Sequence, residues 1–555
     1  MKLPCLAILL VLALAACFSR VEGFSFRDNE GSRIGLRQPR RTSRIEALFK
    51  LDQVVMPAGA DGSHTLAFYL EYRGHMRGVT LEVYSGADEL LRSVTIPYSS
   101  AMPVRYHVSL PPQSRIWGFR LVSEAPVQAE ILAAGLAPVV SGFRFAADRL
   151  DIGELAVGLP ENIAQPYLTT GEVDLSGIMQ AAASSSTWIM RLGLRSLLGP
   201  PQKGQLPTAV LSFAAGESAK QSTLSVRMNT ETQTITLPST MFSQTPETLR
   251  VSTDSRQAVA LSACEVSVAS ISELGSIPIE AGIILSYEQS QWRLAEVELF
   301  SWATLPEILI FDTLNYAVQA AYFKRLAFFA EKSGFVGTIP ARASIADLHG
   351  YNAHDYRAED LAAFFLKAAR EQIPLGAEEE RLKRILIANN VLQETQTGLT
   401  ARRGSIISIS RSSNAALREL LLSHECLHAI FFSHAAYRGR CFVVWEALSQ
   451  QEQQFWRLFL EWAGYEVSMP YLVVNEFQAY VLQYDEERTN SYFRDVIAAR
   501  LLRSMPNERD FIETFLRQRP ESFRRSHRDL EQALWEEARL SAGVLAVRLL
   551  EQPPL

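Results

Sequence analysis

The stretch SIISISRSSNAALRELLLSHECLHAIFF, residues 405–432, places a strand pattern directly before a long apolar helix pattern. Its opening residues, 405–411, are rich in β-branched isoleucine, which predicts a short strand. Apolar residues at helical spacing follow, so one helix is predicted over Asn414–Phe432. That helix carries His424, Glu425 and His428, and side chains four residues apart on a helix lie on one face.

The HExxH spacing of these three residues predicts a metal site. Two neutral imidazoles on one helix face can bind a single Zn²⁺, with the adjacent glutamate beside them. Zinc with three protein ligands and one open position lowers the pKa of a bound water to about 7, and a carboxylate can accept the proton. A structural histidine pair is the alternative, but burying it with a glutamate is costly without a strong partner. We expect one Zn²⁺ per chain, with His424 and His428 as ligands and Glu425 as general base.

Glu476 is the first candidate for the third ligand. It lies in the segment VVNEFQAY, residues 473–480, which opens a second amphipathic helix pattern. Together with HExxH this segment resembles the gluzincin metallopeptidases, in which a glutamate on a downstream helix, often after an asparagine, completes the zinc site. The resemblance covers these two helices only, and it implies Glu476 as ligand with Asn475 near the zinc shell. Gluzincins commonly have an aspartate where Tyr480 stands, so Tyr480 is either a hydrogen-bond donor to the oxyanion or a buried structural tyrosine.

His434 is the second candidate. Its spacing from His424 and His428 resembles the metzincin metallopeptidases, but Phe431 stands where that family has a glycine. The helix must turn sharply at that glycine, and phenylalanine rarely adopts the positive φ required. We therefore favour Glu476 as the ligand and expect His434 to line the cleft and donate to substrate.

A polar and aromatic segment, LHGYNAHDYR at residues 348–357, precedes a helix pattern over 359–372. Such a segment can reach the cleft, with His354 or Asp355 supporting the zinc shell or the substrate. Alternatively, Asp355 and its neighbours cap the following helix.

The period of the apolar pattern changes along the chain. Short runs of period two, separated by Gly and Pro, predict a β-sandwich module at 46–140 and a second β module at 141–302, although one larger β domain fits equally well. After residue 302 the period becomes helical. The expected fold class is multidomain, with N-terminal all-β, sandwich-like modules followed by a mostly α-helical, zincin-like metallopeptidase domain at 303–555.

The first residues, 1–16, are typical of a signal peptide, because their apolar run is shorter than the roughly 20 residues of a membrane span. The sequence Leu-Ala-Ala-Cys ending at Cys17 resembles the bacterial lipobox, in which the cysteine after the cleavage site carries diacylglycerol. This implies a lipid-anchored tether at 17–45 and a periplasmic or cell-surface location at a bacterial membrane. Ordinary signal cleavage, with Cys17 incidental, is the alternative.

Composition narrows the class of protein further. The chain has 555 residues, of which 48% are hydrophobic and 21% charged, values typical of globular proteins with more than one domain. Its net charge is −6, from 54 basic and 60 acidic residues, so it has no basic surplus for nucleic acid. The three later cysteines, Cys264, Cys426 and Cys441, are expected to be buried thiols rather than a disulfide framework.

These observations favour a membrane-anchored zinc-dependent peptidase that acts on a peptide or protein substrate. The strand at 405–411 would form the edge of the cleft and pair with an extended substrate. One alternative is a surface-anchored binding lipoprotein whose β modules hold a glycan or protein and whose zinc domain is inactive or structural. Another is a zinc hydrolase of cell-wall or other amide bonds.

Overall fold

The structure is a computed structural model that describes residues 66–550 with short gaps, together with three earlier strands at 20–27, 33–37 and 45–55. The gaps are residues 112–113, 126, 128, 139, 141, 147, 155–158, 160–161, 164, 166, 169–170, 183–186, 217–221, 254–258, 270, 397 and 544–546. The predicted signal segment and Cys17 lie outside the described residues. Within the described part, no helix combines the length and the apolar character needed to cross a membrane.

The described residues before 270 are mainly strands. In chain order the elements are β1 (Arg20–Arg27), β2 (Arg33–Arg37), β3 (Ile45–Val55), β4 (Leu66–Gly74), β5 (Thr80–Tyr84), β6 (Leu90–Thr95), β7 (Ser99–Val108), β8 (Arg115–Ser123), β9 (Ala129–Pro138), β10 (Gly142–Phe145), β11 (Leu150–Gly153), β12 (Asn162–Ile163), β13 (Gly171–Asp174), α1 (Ser176–Ala182), β14 (Trp188–Ser196), β15 (Thr208–Ala214), β16 (Ser222–Arg227), β17 (Thr232–Pro238), β18 (Thr248–Thr253) and β19 (Val259–Val268). The predicted all-β character of the N-terminal half is confirmed.

Two sheets of this half pack face to face. The order in one is β3-β8-β5-β6, and the other is a long sheet that includes β7, β4 and β9. Phe68 of the long sheet contacts Phe119 of the four-stranded sheet at 5.6 Å between ring centroids, and Phe119 stacks on Phe49 at 4.4 Å. Alternate residues point inwards along each strand, as in a sandwich.

The long sheet continues across residue 140. Its order is β17-β14-β19-β10-β11-β7-β4-β9-β1-β2. Because β11 pairs with β7 and β10 pairs with β19, the two predicted β modules share one sheet. Strands β1 and β2 pair with each other and join the sheet beside β9, within the range predicted to be a tether.

The described residues after 270 are mainly helical. The elements are β20 (Ile277–Ile279), α2 (Ala281–Ile284), β21 (Val297–Trp302), β22 (Leu305–Thr313), α3 (Tyr316–Ala330), β23 (His354–Arg357), α4 (Ala358–Arg370), α5 (Ala377–Ala388), β24 (Leu392–Thr395), β25 (Gly398–Ala401), β26 (Ser405–Ser410), α6 (Ala415–Ser433), α7 (Ala435–Ala447), α8 (Gln450–Ala463), α9 (Pro470–Leu482), α10 (Glu486–Ser491), a π-helical segment (Tyr492–Ile497), α11 (Ala498–Ser504), α12 (Arg509–Gln518), α13 (Ser522–Ala538) and β27 (Val547–Leu550).

A mixed five-stranded sheet supports these helices, with the order β20-β21-β22-β26-β23. Ile406 on β26 packs in the cluster formed with α3, α4 and α5, whereas Ile407 and Ile409 belong to the cluster that contains α6. The sheet therefore lies between two helical layers. It also spans residue 302, where the sequence pattern changes period, because β21 and β22 form one antiparallel hairpin.

The prediction that the strand at 405–411 forms a cleft edge is wrong. Strand β26 is hydrogen-bonded on both sides, in parallel to β22 and antiparallel to β23. The edge strand beside α6 is β23. Its four residues gain strand geometry only by pairing with β26, so the local sequence pattern does not reveal it.

The helix predicted over 414–432 is confirmed as α6, whose N-cap Asn414 accepts a hydrogen bond from the Leu417 amide at 3.0 Å. A buried ion pair ties α6 to the sheet, because Asp312 on β22 accepts from both terminal nitrogens of Arg418 at 2.8 and 3.0 Å. Helix α13 stops at Arg539, which has a φ of 57°, and β27 then pairs with β16 of the N-terminal half.

Candidate metal centre

Helices α6 and α9 bring three ligand-type side chains together. The Nε2 atoms of His424 and His428 lie 3.1 Å apart. His424 Nε2 lies 3.8 Å from Oε2 of Glu476 on α9, and His428 Nε2 lies 3.8 Å from Oε1 of the same carboxylate. All three side chains are buried, and His424, His428 and Glu476 form a group that could hold a metal ion.

The spacing of these atoms fits a small tetrahedral cation. With zinc–ligand distances of about 2.0–2.2 Å, neighbouring ligand atoms lie roughly 3.3–3.5 Å apart, within a few tenths of an ångström of the separations in the cluster. Two histidines and one glutamate also form a donor set of catalytic zinc sites that keep an open position. Oε2 of Glu476 has no hydrogen-bond partner in the described structure, as expected of an oxygen that binds a cation.

The electrostatics of the site favour a cation. Four carboxylates are buried around it, from Glu331, Asp355, Glu425 and Glu476. Burial, together with Asp355 and Glu476, raises the pKa of Glu425 well above its ordinary value, and burial likewise raises the pKa of Glu476. A metal ion would offset this repulsion and release the protons that the carboxylates otherwise keep.

Burial also prepares the first histidine to act as a ligand. It lowers the pKa of His424 from 6.5 to about 4, so the imidazole is neutral at physiological pH. A neutral ring nitrogen is the form that binds a metal.

Two residues outside the metal group lie beside the histidine rings. The side-chain oxygen of Gln483, just after α9, lies 3.1 Å from Nδ1 of His424. On β23, the Asp355 carboxylate lies 3.7 Å from Nδ1 of His428, beyond hydrogen-bond distance, and this nitrogen has no hydrogen-bond partner in the described structure. A hydrogen bond such as that of Gln483 fixes the orientation of a ligating histidine. Asp355 is not the cap of the next helix, because the N-cap of α4 is Arg357.

Glu425 faces the same cleft as the metal group. Glu425, Asp355 and His428 form a second group of side chains that could hold a metal ion. Oε2 of Glu425 has no hydrogen-bond partner in the described structure. The cleft has a volume of about 250 Å³. Glu425 thus lies beside His428 and lines the cleft.

Tyr480 lies one turn after Glu476 and packs its ring edge-on against His424, at 4.6 Å between centroids. A hydrogen bond joins it to Tyr465, and a hydrogen bond from Tyr465 also favours the charged form of Glu476. Tyr480 also lines the cleft, and through Tyr465 it belongs to the polar network around Glu476.

Three other predicted residues lie apart from the ligand atoms. His434 is the residue at which α6 ends, and it belongs to neither group of possible metal ligands in the described structure. The helix runs through Phe431 without a sharp turn, so it does not direct His434 back towards His428. His354 is on the other face of β23, where its ring nitrogen contacts the Tyr356 hydroxyl at 2.8 Å. Asn475 is buried beside Gln478.

Several cleft residues escaped the sequence patterns. Glu331 directly follows α3, and Gln483 directly follows α9, so neither lies in a recognisable motif. Tyr492 begins the π-helical segment and also lines the cleft. A π-helical turn often marks a functional site, but the sequence carries no reliable signal for one.

No protein-family model, curated protein or solved structure matches this chain. The function proposed for it therefore rests on the residues of the site.

Proposed function

We propose that this chain is a zinc-dependent peptidase. The observation that carries the proposal is the convergence of His424, His428 and Glu476 within reach of one ion, beside Glu425 and in a cleft. A structural metal site is usually closed by four protein ligands, whereas three ligands with an adjacent carboxylate are typical of hydrolytic sites.

Each side chain has a defined role in this proposal. Zn²⁺, when bound, polarises the substrate carbonyl and lowers the pKa of a bound water. Glu425 accepts the proton of the attacking water and later donates it to the leaving amine. Gln483 keeps the His424 imidazole in the orientation that ligation needs, and Asp355 faces the free ring nitrogen of His428.

Tyr480 is proposed to donate a hydrogen bond to the carbonyl oxygen as negative charge develops there. Its position at the cleft and its contact with His424 support this role. Burial raises the pKa of its hydroxyl, so the hydroxyl keeps its proton and stays a donor.

We propose that the substrate pairs with the edge strand β23. Strand β23 lies at the end of its sheet, and its Asp355 is beside His428. An extended peptide that adds to this edge would lie across the metal site, which is the β-strand mode of peptide recognition.

Metal content and peptide hydrolysis, measured on the purified full-length chain, test the proposal. We expect about one zinc per chain in the wild type, lost in Glu476→Ala and kept in the matched variant His434→Ala. Glu425→Gln should keep its zinc and lose at least ~100-fold in turnover of a peptide library, because a general base contributes about that much or more.

Two results would overturn the proposal. One is a wild-type chain that holds no zinc even after zinc is supplied. The other is a Glu425→Gln variant that hydrolyses peptides at the wild-type rate.

A further inference from the structure

Glu331 is a buried carboxylate that the proposed chemistry does not use. It follows the last residue of α3, lines the cleft that holds His424 and Glu425, and is only 8% exposed. None of the hydrogen bonds and ion pairs formed among the described residues involves its carboxylate, although buried carboxylates are normally paired. Its repulsion from Asp355 and Glu476 places it close to the metal group.

A further polar group next to Glu331 also lacks a partner. The buried hydroxyl oxygen of Tyr351 has no hydrogen bond in the described structure. Tyr351 lines the cleft and stacks on Tyr465 at 5.4 Å between ring centroids. A hydroxyl oxygen accepts hydrogen bonds, so it suits a ligand that carries several N–H donors.

We propose that Glu331 and the Tyr351 hydroxyl bind an ammonium group of the substrate. This inference rests on the proposed peptidase function and names its substrate class: peptides that present a positively charged amine close to the scissile bond. The amine belongs either to a free N-terminus or to a lysine side chain, since both carry three N–H donors and one positive charge.

A second metal ion is a poorer occupant for this position. The two groups of possible ligands found among the described residues are His424, His428, Glu476 and Asp355, Glu425, His428, and Glu331 belongs to neither. A carboxylate and a phenol with no second strong ligand suit an ammonium better than Zn²⁺.

Calorimetric binding of three small probes to the zinc-loaded Glu425→Gln chain tests the inference without turnover. The probes are alaninamide, N-acetylalaninamide and Nα-acetyllysinamide. We expect an amine-bearing probe to bind at least tenfold more tightly than N-acetylalaninamide, a difference of about 1.4 kcal/mol. Preference for alaninamide identifies a free N-terminus as the ligand, and preference for Nα-acetyllysinamide identifies a lysine side chain.

The variant Glu331→Gln, added to the same background, should lose this preference. The exposed Glu380→Gln on α5 is the matched control and should keep it. The free and acetylated amines are first compared on a chain that keeps Glu331 and Tyr351. That comparison tests the inference even if Glu331→Gln does not fold. Equal binding of all three probes, or a preference that survives Glu331→Gln, would overturn the inference.

The outcomes separate this inference from the proposed function. Peptide hydrolysis that is indifferent to free amines would overturn the ammonium site and leave the peptidase intact. Amine binding that depends on Glu331, in a chain that hydrolyses no peptide, would overturn the peptidase function and leave the ammonium site intact. A metal content that falls from two ions to one in Glu331→Gln would show that the position holds a second metal instead.

Discussion

The buried ion pair beneath α6 gives the sharpest test of the fold. Asp312 is fully buried and accepts hydrogen bonds from Arg418 at 2.8 and 3.0 Å and from Arg411 at 3.0 Å. Asp312→Asn removes the negative charge and leaves Arg418 buried without a counter-charge. Breaking a buried pair in this way costs about 3–5 kcal/mol.

The pair between Arg357 and Asp360 is the matched control. Its two hydrogen bonds, at 2.8 and 3.1 Å, have the same chemistry, but both side chains are about one-third exposed (35% and 33%). An exposed pair contributes at most about 1 kcal/mol, so Asp360→Asn should cost several-fold less than Asp312→Asn.

Hydrogen exchange of the α6 amides is the suitable assay. It reports the free energy of the unit that opens with α6, and a multidomain chain need not unfold in a single step. We expect Asp312→Asn to lower this free energy by at least about 2 kcal/mol more than Asp360→Asn does. Equal effects of the two substitutions would refute the view that burial, rather than pairing geometry, sets the contribution of this ion pair.

Two further predictions concern Glu280, which lines a pocket together with Cys426 of α6, and Gln483, which contacts His424. Burial raises the pKa of Glu280 from 4.5 to about 7. Between these two pH values the folded chain keeps a proton that the unfolded chain releases. The free energy of unfolding therefore falls by about 3 kcal/mol as the pH rises from 4.5 to 7. Glu280→Gln keeps the acceptor for Thr304, so in denaturation curves it should be more stable than the wild type at pH 8 and equal to it at pH 4; equal stability at both values would contradict this. Gln483→Ala should weaken zinc binding about 10–100-fold in competition with a chelator, whereas Gln453→Ala, on α8, should leave it unchanged.

The sequence was sufficient to find α6 and its histidines because the relevant information is local. The apolar spacing and the HExxH motif both lie within one helix, whose geometry fixes which side chains share a face. The convergence of Glu476 with the two histidines depends on the packing of α9 against α6. The sequence could predict it only through a resemblance to known zinc sites.

The edge strand and the shared β sheet could not be predicted in the same way. Strand β23 has four residues and lies in a polar segment, so its pairing with β26 decides its conformation. The sheet that joins the two β modules depends on the pairing of β11 with β7, which are separated by several other strands. Pairings between distant segments leave no local periodicity.

Glu331 illustrates another limit of sequence reasoning. A glutamate at the end of an apolar helix pattern is ordinarily solvated, and the sequence offered no reason to single it out. Its significance arises from the neighbours that the fold supplies, since β23 brings Asp355 and α9 brings Glu476 close enough to repel its carboxylate. The chemistry of the cleft is therefore a property of three separate elements.

The carboxylates also weigh against a purely structural role for His424 and His428. If the two histidines had only a packing role, apolar or neutral neighbours would give a more stable fold, because each unpaired buried charge costs several kcal/mol. The chain instead surrounds them with four buried carboxylates. One cation in the metal group and a second at Glu331 would offset that repulsion, so removal of the metal should make the carboxylates retain protons and weaken the binding of any ammonium ligand. The two proposed sites are thus expected to be coupled through charge, and the strength of amine binding should depend on metal loading.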